Sequence, residues 1–377
     1  MPHRRLTVLH ILPALESGGT ELCVLDIAAA LVKAGHRSIV ISAGGRLVSR
    51  LTSCGAEHVT KTLGTKSPLT LRHVPWLRRF LTEQRVDVVD YQSRMPGWLT
   101  YLAWKSMPSS HRPALISTVN GLHSTGLYSS IMCRGQDVVV VSNAVRDYVR
   151  THYPFVNDSQ LHVIHRGIDT QQFPRGFQPT GEWNSQFFQQ FPQAANRPLL
   201  TLAGRLTRLK GHIDFLRLLA ELREHGMNVH GLIVGDVDRH RAGYANELKN
   251  MVTQLQLEER VTFTGHRTDL REIYAVSSAV FSLSSKPEAF GLTVAESLSI
   301  GTPVIGYNHG GVAEILATQF PEGAVEPGDQ HMLMQTALRI LRSEVPPVPR
   351  PNQFERSTML SRTLELYTNV AQKTRHA

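Results

Sequence analysis

Apolar residues recur along this chain in short uninterrupted blocks separated by longer amphipathic stretches. That rhythm is the one expected of strands buried on both faces alternating with covering helices. Residues 6–12, 38–42, 86–90, 114–118, 137–141 and 161–164 read as strands. Between them, residues 21–34, 46–54, 69–84, 97–106 and 143–152 place apolar side chains at helical spacing. Ser142 is positioned to cap the last of these helices and Gly35 to stop the first. Such alternation predicts a parallel, doubly wound α/β sheet. The pattern breaks over residues 174–196, where Pro, Gly and Gln dominate and Trp183, Phe187 and Phe188 are the side chains suited to packing. A second alternation runs from residue 199 to 341, prolines interrupt it at 346–351, and residues 354–372 read as a last helix. The expected organisation is a first domain at 1–173, a connection at 174–196, a second domain at 197–350 and a closing helix at 351–377.

Composition adds little to the fold but narrows the function. A chain of 377 residues, 41% hydrophobic and 19% charged, suits two ordinary globular domains. Cys23, Cys54 and Cys133 are odd in number and lack metal or CxxC spacing, which fits a reducing, cytoplasmic setting. The opening basic residues and the run 6–12 superficially resemble a signal peptide. His10 and Pro13 interrupt that run and no small-residue cleavage site follows, so it reads as the first strand. No run is long and apolar enough to span a bilayer. The formal charge of +9 is uneven: residues 1–175 hold 20 Lys and Arg against 11 Asp and Glu, and the remainder is balanced. A basic first half suits an anionic acceptor or an anionic membrane, and no nucleic-acid motif accompanies it.

The densest chemistry lies in residues 284–316. A buried strand, 279–283, ends in a polar loop with Glu288. Phe290 and Gly291 then turn into a helical run, 292–299, that carries Glu296. A second strand at 303–306 leads to Gly310 and Gly311. Strand ends facing helix starts are where open α/β sheets bind ligands. Six residues into a helix, Glu296 stands about 9 Å along the axis from Glu288. Carboxylates so spaced are too far apart to share a proton and suit hydroxyls at two ends of one elongated ligand. The helix N-terminus between them favours phosphate. Sugar, phosphates and ribose in that order describe a nucleotide-sugar.

Two other loops carry candidate phosphate groups. Gly18 and Gly19, between the first strand and the first helix, allow phosphate to approach bare backbone amides. The loop is not G-x-G-x-x-G, which argues against a dinucleotide site, and its plain alternative is a tight turn capped by Thr20. After the first strand of the second domain, Arg205 and Lys210 can converge from two sides of one loop, where cations stabilise a departing nucleoside diphosphate. Their plain alternative is a solvated basic loop, the reading preferred for Arg208. Asp236 and Asp238 mimic a metal-holding Asp-x-Asp but suit loop capping better, and no histidines show paired ligand spacing, so no metal is expected. Residues 69–86 mix Leu71, Trp76, Leu77 and Phe80 with Arg72, Arg78, Arg79 and Arg85, while Pro75 argues against one unbroken helix. That stretch is either a covering helix with a solvated basic face or a patch for an anionic membrane.

In order, PEAFG, Glu296, GTPVIG, GGVAE and the earlier G-R-x-x-x-x-K-G loop resemble the donor-site signature of retaining GT-B glycosyltransferases of family 4. The resemblance covers nearly the whole chain, and SRMPGW, YSSIMCRG and VIHRGID look most like bacterial transferases of lipopolysaccharide-core type. It implies two Rossmann-like domains facing across a cleft, and transfer from a UDP- or GDP-sugar with retention, without cofactor or metal. The implied acceptor is a cell-surface glycan or glycolipid at the inner face of the cytoplasmic membrane. By that resemblance Glu296 holds the ribose, Glu288 with Ala289, Phe290, Gly291 and Leu292 the donor sugar, and Arg205 and Lys210 the diphosphate. Gly18 and Gly19 lie over the pyrophosphate, with Thr20 beside the acceptor, and Gly265 and His266 lie against the base. Where the family commonly has His-Gly near the reacting carbon, this chain has Asn120-Gly121, which hydrogen-bonds but cannot titrate. His123 is either a substitute for that histidine or polar surface. Rival readings are a non-catalytic binding subunit, motivated by Asn120, a disaccharide phosphorylase on the same architecture, and a membrane-surface binding protein.

Overall fold

The computed structural model describes residues 4–16, 18–236, 242–349 and 354–376. The chain divides into two compact units, residues 1–167 together with 356–377, and residues 168–355. In the first unit the strands are β1 (Thr7–Ile11), β2 (Arg37–Ser42), β3 (Glu57–Thr60), β4 (Val88–Tyr91), β5 (Ala114–Val119), β6 (Asp137–Val140) and β7 (Leu161–Val163). They pair in parallel in the order β3-β2-β1-β4-β5-β6-β7. The strand β3 escaped the sequence pattern because its side chains are half-buried or exposed, which breaks the apolar signal of a central strand. Its helices are α1 (Gly19–Lys33), α2 (Val48–Ser53), α3 (Val74–Glu83), α4 (Arg94–Lys105), α5 (Leu127–Ser130) and α6 (Asn143–His152). Pro75 lies in the first turn of α3, after a 3-10 segment at Pro68–His73, where its missing N–H costs nothing.

The second unit holds α7 (Gly181–Gln190), β8 (Leu199–Ala203), α8 (His212–Glu224), β9 (His230–Val234), α9 (Ala242–Gln254), β10 (Val261–Gly265) and α10 (Leu270–Val276). It continues with β11 (Ser277–Ser282), α11 (Leu292–Ile300), β12 (Val304–Tyr307), α12 (Gly310–Gln319), β13 (Ala324–Val325) and α13 (Gln330–Leu341). Its parallel sheet runs β10-β9-β8-β11-β12-β13. Both sheets therefore reverse their winding once, at β1/β4 and at β8/β11, and loops that part at such a reversal open a crevice at the strands' carboxyl ends.

The last helix, α14 (Arg356–His376), belongs to the first unit. Met359, Leu366, Tyr367, Val370 and Ala371 pack against Leu6, Val8, Cys23, Val88 and Ile116. Residues 174–196 are not a loose connection. Thr180 caps α7 by accepting the Trp183 N–H at 3.2 Å, Trp183 stacks on Phe187 with ring centroids 4.7 Å apart, and Phe187 is buried with Leu199, Leu232 and Ile273. Aromatic burial thus overrides a loop-like composition. The second unit also begins at Ile168, whose N–H reaches the Phe354 carbonyl at 2.9 Å, so the boundary falls before residue 173. Cys23 and Cys133 are buried and all three cysteines are free thiols. Among the described residues no helix is long and apolar enough to cross a membrane.

Candidate functional site

At the β8/β11 reversal, the loop after β8 and the loop after β11 are joined to each other. The Ser285 N–H donates to the Leu209 carbonyl at 2.8 Å. Gly211, in the left-handed region with φ 75°, ends the first loop so close to β11 that a Cβ there would stand 1.9 Å from the Leu283 carbonyl oxygen. This approach delivers Lys210 to Glu288: Nζ donates to Oε1 at 2.6 Å, and the Ser284 hydroxyl donates to the same oxygen. Glu288 Oε2 has no partner among the described residues, and the side chain is 24% exposed, so one carboxylate oxygen faces outward. Burial pushes this carboxyl up, but the Lys210 ammonium, its hydrogen bond, the Ser284 hydroxyl and His309 outweigh burial and leave it below its ordinary value. It is therefore an ionised acceptor at neutral pH.

The loop 288–291 is held from beneath by the start of α12. The Gly311 N–H donates to the Glu288 carbonyl at 2.8 Å, and Cβ atoms on Gly310 and Gly311 would stand 2.5 and 2.4 Å from the backbone of Glu288 and Phe290. The GGVAE segment thus serves as a floor that only glycine fits, and His309 locks it by reaching the Ser284 carbonyl at 2.8 Å. Phe290 is buried edge-on to Phe354, which fixes the turn into α11. Gly291 occupies the cap position of α11 and has no side chain, so the first-turn amides have no side-chain acceptor.

Glu296 sits on α11, half-buried, above the fully buried Tyr274. Burial raises its carboxyl to about 7, and the neighbouring Tyr274 hydroxyl offsets this in part. An acid held there near neutrality suits a ligand that brings further hydroxyl donors. Arg205 is exposed on the loop after β8, and the Lys210 stem crosses Gly204 beside it. Arg208 by contrast pairs with Glu247 at 2.8 Å and stands 5.1 Å over the Tyr244 ring, a surface role. Gly265 and the exposed His266 lie at the same carboxyl edge, where the Gly265 carbonyl accepts the Gly235 N–H at 3.0 Å. Asp236 is described and Asp238 lies outside the described residues. Among the described residues no group of three or more His, Cys, Asp or Glu is arranged to hold a metal.

On the first unit, Gly18 itself is the cap residue of α1, and Gly19 and Thr20 already belong to the helix. Thr20 is thus not the cap. The Glu21 carboxylate turns back onto the Gly18 N–H instead, because glycine offers no acceptor of its own. Ser17 lies outside the described residues. At the ends of β4 and β5, Asn120 Nδ2 donates to Gln92 Oε1 at 2.7 Å, and Arg166 donates to Asn120 Oδ1. His123 is close by in sequence but turned inward. Its Nε2 is buried without a partner among the described residues, and burial, with Arg94, holds its pKa below the ordinary value. Ser284, His309, Tyr274, Gln92 and Arg166 are site residues that spacing alone does not single out. Ser284 and His309 could have been found from their places flanking the Glu288 and Gly-Gly segments.

Residues 17–172 match the family model described as Glycosyltransferase Family 4, and residues 184–358 match Glycosyl transferases group 1. The chain belongs to these group 1 and family 4 glycosyltransferases, on the GT-B architecture of two Rossmann-like domains, as its motifs indicated. A glycosyltransferase from Rickettsia africae is 27% identical, with a TM-score of 0.85 over 97% of this chain and 98% of that one. HepE from Anabaena, solved with UDP-glucose, shares the fold at 20% identity and TM-score 0.75, covering 99% of this chain and 98% of that one. Mannosylfructose-phosphate synthase of Agrobacterium fabrum is 30% identical over 220 residues, 57% of this chain and 47% of that protein. The matched region spans about half the length of the curated relatives.

Proposed function

We propose that the protein transfers a sugar from a nucleoside diphosphate donor, UDP- or GDP-linked, to a glycan or glycolipid acceptor with retention of configuration. The observation that carries this reading is the Lys210–Glu288–Ser284 cluster at the β8/β11 reversal, beside the uncapped start of α11, the helix that carries Glu296. In this reading Glu288 and the backbone of Ala289 to Leu292 take the donor sugar, and Glu296 takes the ribose. Arg205 and Lys210 take the diphosphate charge that accumulates as the leaving group departs. Gly265 and His266 lie toward the base. On the first unit, Gly18 and Gly19 are assigned to the donor pyrophosphate, and Thr20, Asn120 and His123 to the acceptor side. The motifs offer no obvious enzymic nucleophile, so attack on the donor face with the donor phosphate assisting deprotonation is the route this reading takes from the family resemblance. The diphosphate charge is carried by side-chain cations in this scheme, so dialysis against EDTA leaves the transfer rate within about twofold, and a larger loss restored by a divalent ion overturns it.

The acceptor reading draws on the first unit's surface. Leu69 is 72% exposed, and beside it a groove of about 630 Å³ is lined by Leu71, Met95, Trp98, Leu102, Tyr128 and Lys66. These apolar side chains, together with Arg72, Arg78 and Arg79 of the same 69–86 stretch, suit an anionic inner-leaflet surface carrying a lipid-linked acceptor, of lipopolysaccharide-core type. Calorimetric titration with UDP-, GDP- and ADP-sugars tests the donor. Saturable binding of one of them, lost in Lys210→Met, supports the reading, and binding by none of them refutes it. Flotation with anionic and neutral vesicles at two salt concentrations tests the surface, and equal binding to neutral vesicles refutes its electrostatic part.

A further inference from the structure

Arg166 stands out among the cations of the first unit. It follows β7 at the carboxyl edge of the sheet, half-buried, and no carboxylate pairs with it among the described residues. Its hydrogen-bond partner is neutral, the Asn120 side-chain oxygen. The amide is not free to turn: Nδ2 donates to Gln92 Oε1 at 2.7 Å, and Gln92 Nε2 donates in turn to Asp90 Oδ2 at 2.9 Å. Asp90 is fully buried and also accepts from Thr118 Oγ1 at 2.9 Å and from Tyr367 on α14 at 2.7 Å, while Tyr367 lies 3.0 Å from His10 Nε2. A chain of fixed side chains from β1, β4, β5 and α14 therefore ends on one guanidinium.

The arrangement is costly unless it serves a purpose. Arg166 is desolvated enough that burial lowers its pKa to about 10, yet it remains charged at neutral pH without a paired carboxylate among the described residues. Asn120 occupies one N–H of a group that carries five, and the remaining donors form a planar fork. A desolvated fork with neutral neighbours at the carboxyl edge of a parallel sheet is built to take a doubly accepting anion.

We propose that Arg166, oriented by Asn120 and Gln92, is an anion-binding site of the first unit that takes a phosphate or carboxylate oxygen pair. The proposal rests on the transferase reading for its purpose. The anion is either an acidic group of the acceptor or a phosphate of the donor. On either source Asn120 is a positioning residue, and the charge facing the ligand does not titrate near neutral pH.

The test uses the full chain labelled with 15N-arginine and follows the Arg166 Nε–Hε resonance, assigned by its loss in Arg166→Lys. Inorganic phosphate stands for an acceptor anion and UDP for the donor. A saturable shift with phosphate in the wild type, with a calorimetric phosphate affinity that weakens at least about tenfold in Arg166→Lys and in Asn120→Asp, which supplies an internal carboxylate, supports the site with an acceptor source. A shift with UDP alone supports it with a donor source. Circular dichroism establishes that both variants are folded. UDP affinity is read in parallel in Glu296→Gln, so loss of the donor reading registers independently of Arg166. No movement of the Arg166 resonance with either probe, or a phosphate affinity in both variants equal to that of the wild type, overturns the proposal and leaves Arg166 a strut.

Discussion

Replacing Glu296 by Gln separates the stability of the second unit from donor binding, because the two respond with opposite signs. In the free protein burial raises this carboxyl from 4.5 to about 7. A raised acid is more stably folded when protonated, so its contribution is intact below the unfolded value and is lost as pH rises through 7. Fully expressed, that difference is worth on the order of 3 kcal/mol, and solvent screening of a half-buried group reduces it to about 1–2 kcal/mol. Gln cannot ionise. At pH 8 the variant's second-unit transition should therefore lie roughly 2–6 °C above wild type, and at pH 5 the two should coincide. Donor binding moves the other way. Ribose hydroxyls donate to the ionised form, so wild-type affinity for the cognate nucleoside diphosphate should rise between pH 6 and 8 with release of a proton. The variant should bind about 10- to 100-fold more weakly at pH 8, without that slope. Differential scanning calorimetry across pH gives the first quantity, and titration calorimetry in buffers of different ionisation enthalpy gives the second. Wild-type affinity that is flat from pH 6 to 8, or a Gln variant less stable than wild type at pH 8, refutes the assignment of Glu296 as a ligand-facing acid.

Three further outcomes follow from the same geometry. Lys210→Met removes the partner of a half-buried carboxylate and a diphosphate cation together, so kcat/KM should fall about 100- to 1000-fold, and a fall under about tenfold refutes a charge-stabilising role. Gly211→Ala places a methyl 1.9 Å from the Leu283 carbonyl at φ 75°, so the second-unit transition should drop by roughly 4–12 °C in a thermal melt; an unchanged melt shows the two loops to be less tightly joined. His212 is fully buried with both ring nitrogens unpartnered among the described residues, and burial lowers its pKa to about 4. A lowered base loses its contribution as pH falls below the unfolded value of 6.5 toward 4. His212→Phe should therefore gain roughly 2 kcal/mol on wild type between pH 7 and pH 5 in urea titrations, and a pH-independent difference refutes the buried neutral ring.

The strand order could not be read from the sequence, but most strands could, because central parallel strands are apolar at every position and their blocks are short. The strand at Glu57–Thr60 was illegible for the converse reason: an edge strand with half-exposed side chains carries no such block. Helix α7 was masked by its own composition, since a segment rich in Gln and Pro looks unstructured until Trp183 and Phe187 are seen to stack and bury. At the β8/β11 reversal the candidate site residues stood out because two carboxylates and a glycine turn sit within nine positions. Their supports did not. Ser284 and His309 act by reaching across to another loop, and Gln92 and Arg166 meet Asn120 from positions 28 and 46 residues away, a relation that only the parallel register creates. GGVAE was legible as a motif and not as a mechanism: it works by the absence of side chains beneath Glu288 and Phe290.

The two carboxylates of the donor-side crevice reach neutrality in the empty protein by different means, and that difference bears on how a charged substrate is admitted. Glu288 is neutralised by a cation 2.6 Å away, and Glu296, raised to about 7, in part by holding a proton. On the proposed donor reading, an incoming diphosphate thus meets little net negative charge, although two acidic side chains line its proposed site. On binding, the phosphates can draw Lys210 from Glu288, while the sugar hydroxyls replace the ammonium as donors to a carboxylate already ionised. The ribose likewise replaces the proton on Glu296. Each bond given up in the empty site has a successor of similar strength in the filled one, so the exchange is near balance and neither carboxylate is left buried and bare. The residual advantage then comes from what has no counterpart in the empty protein: the uncapped first turn of α11, with its amides waiting for an anion.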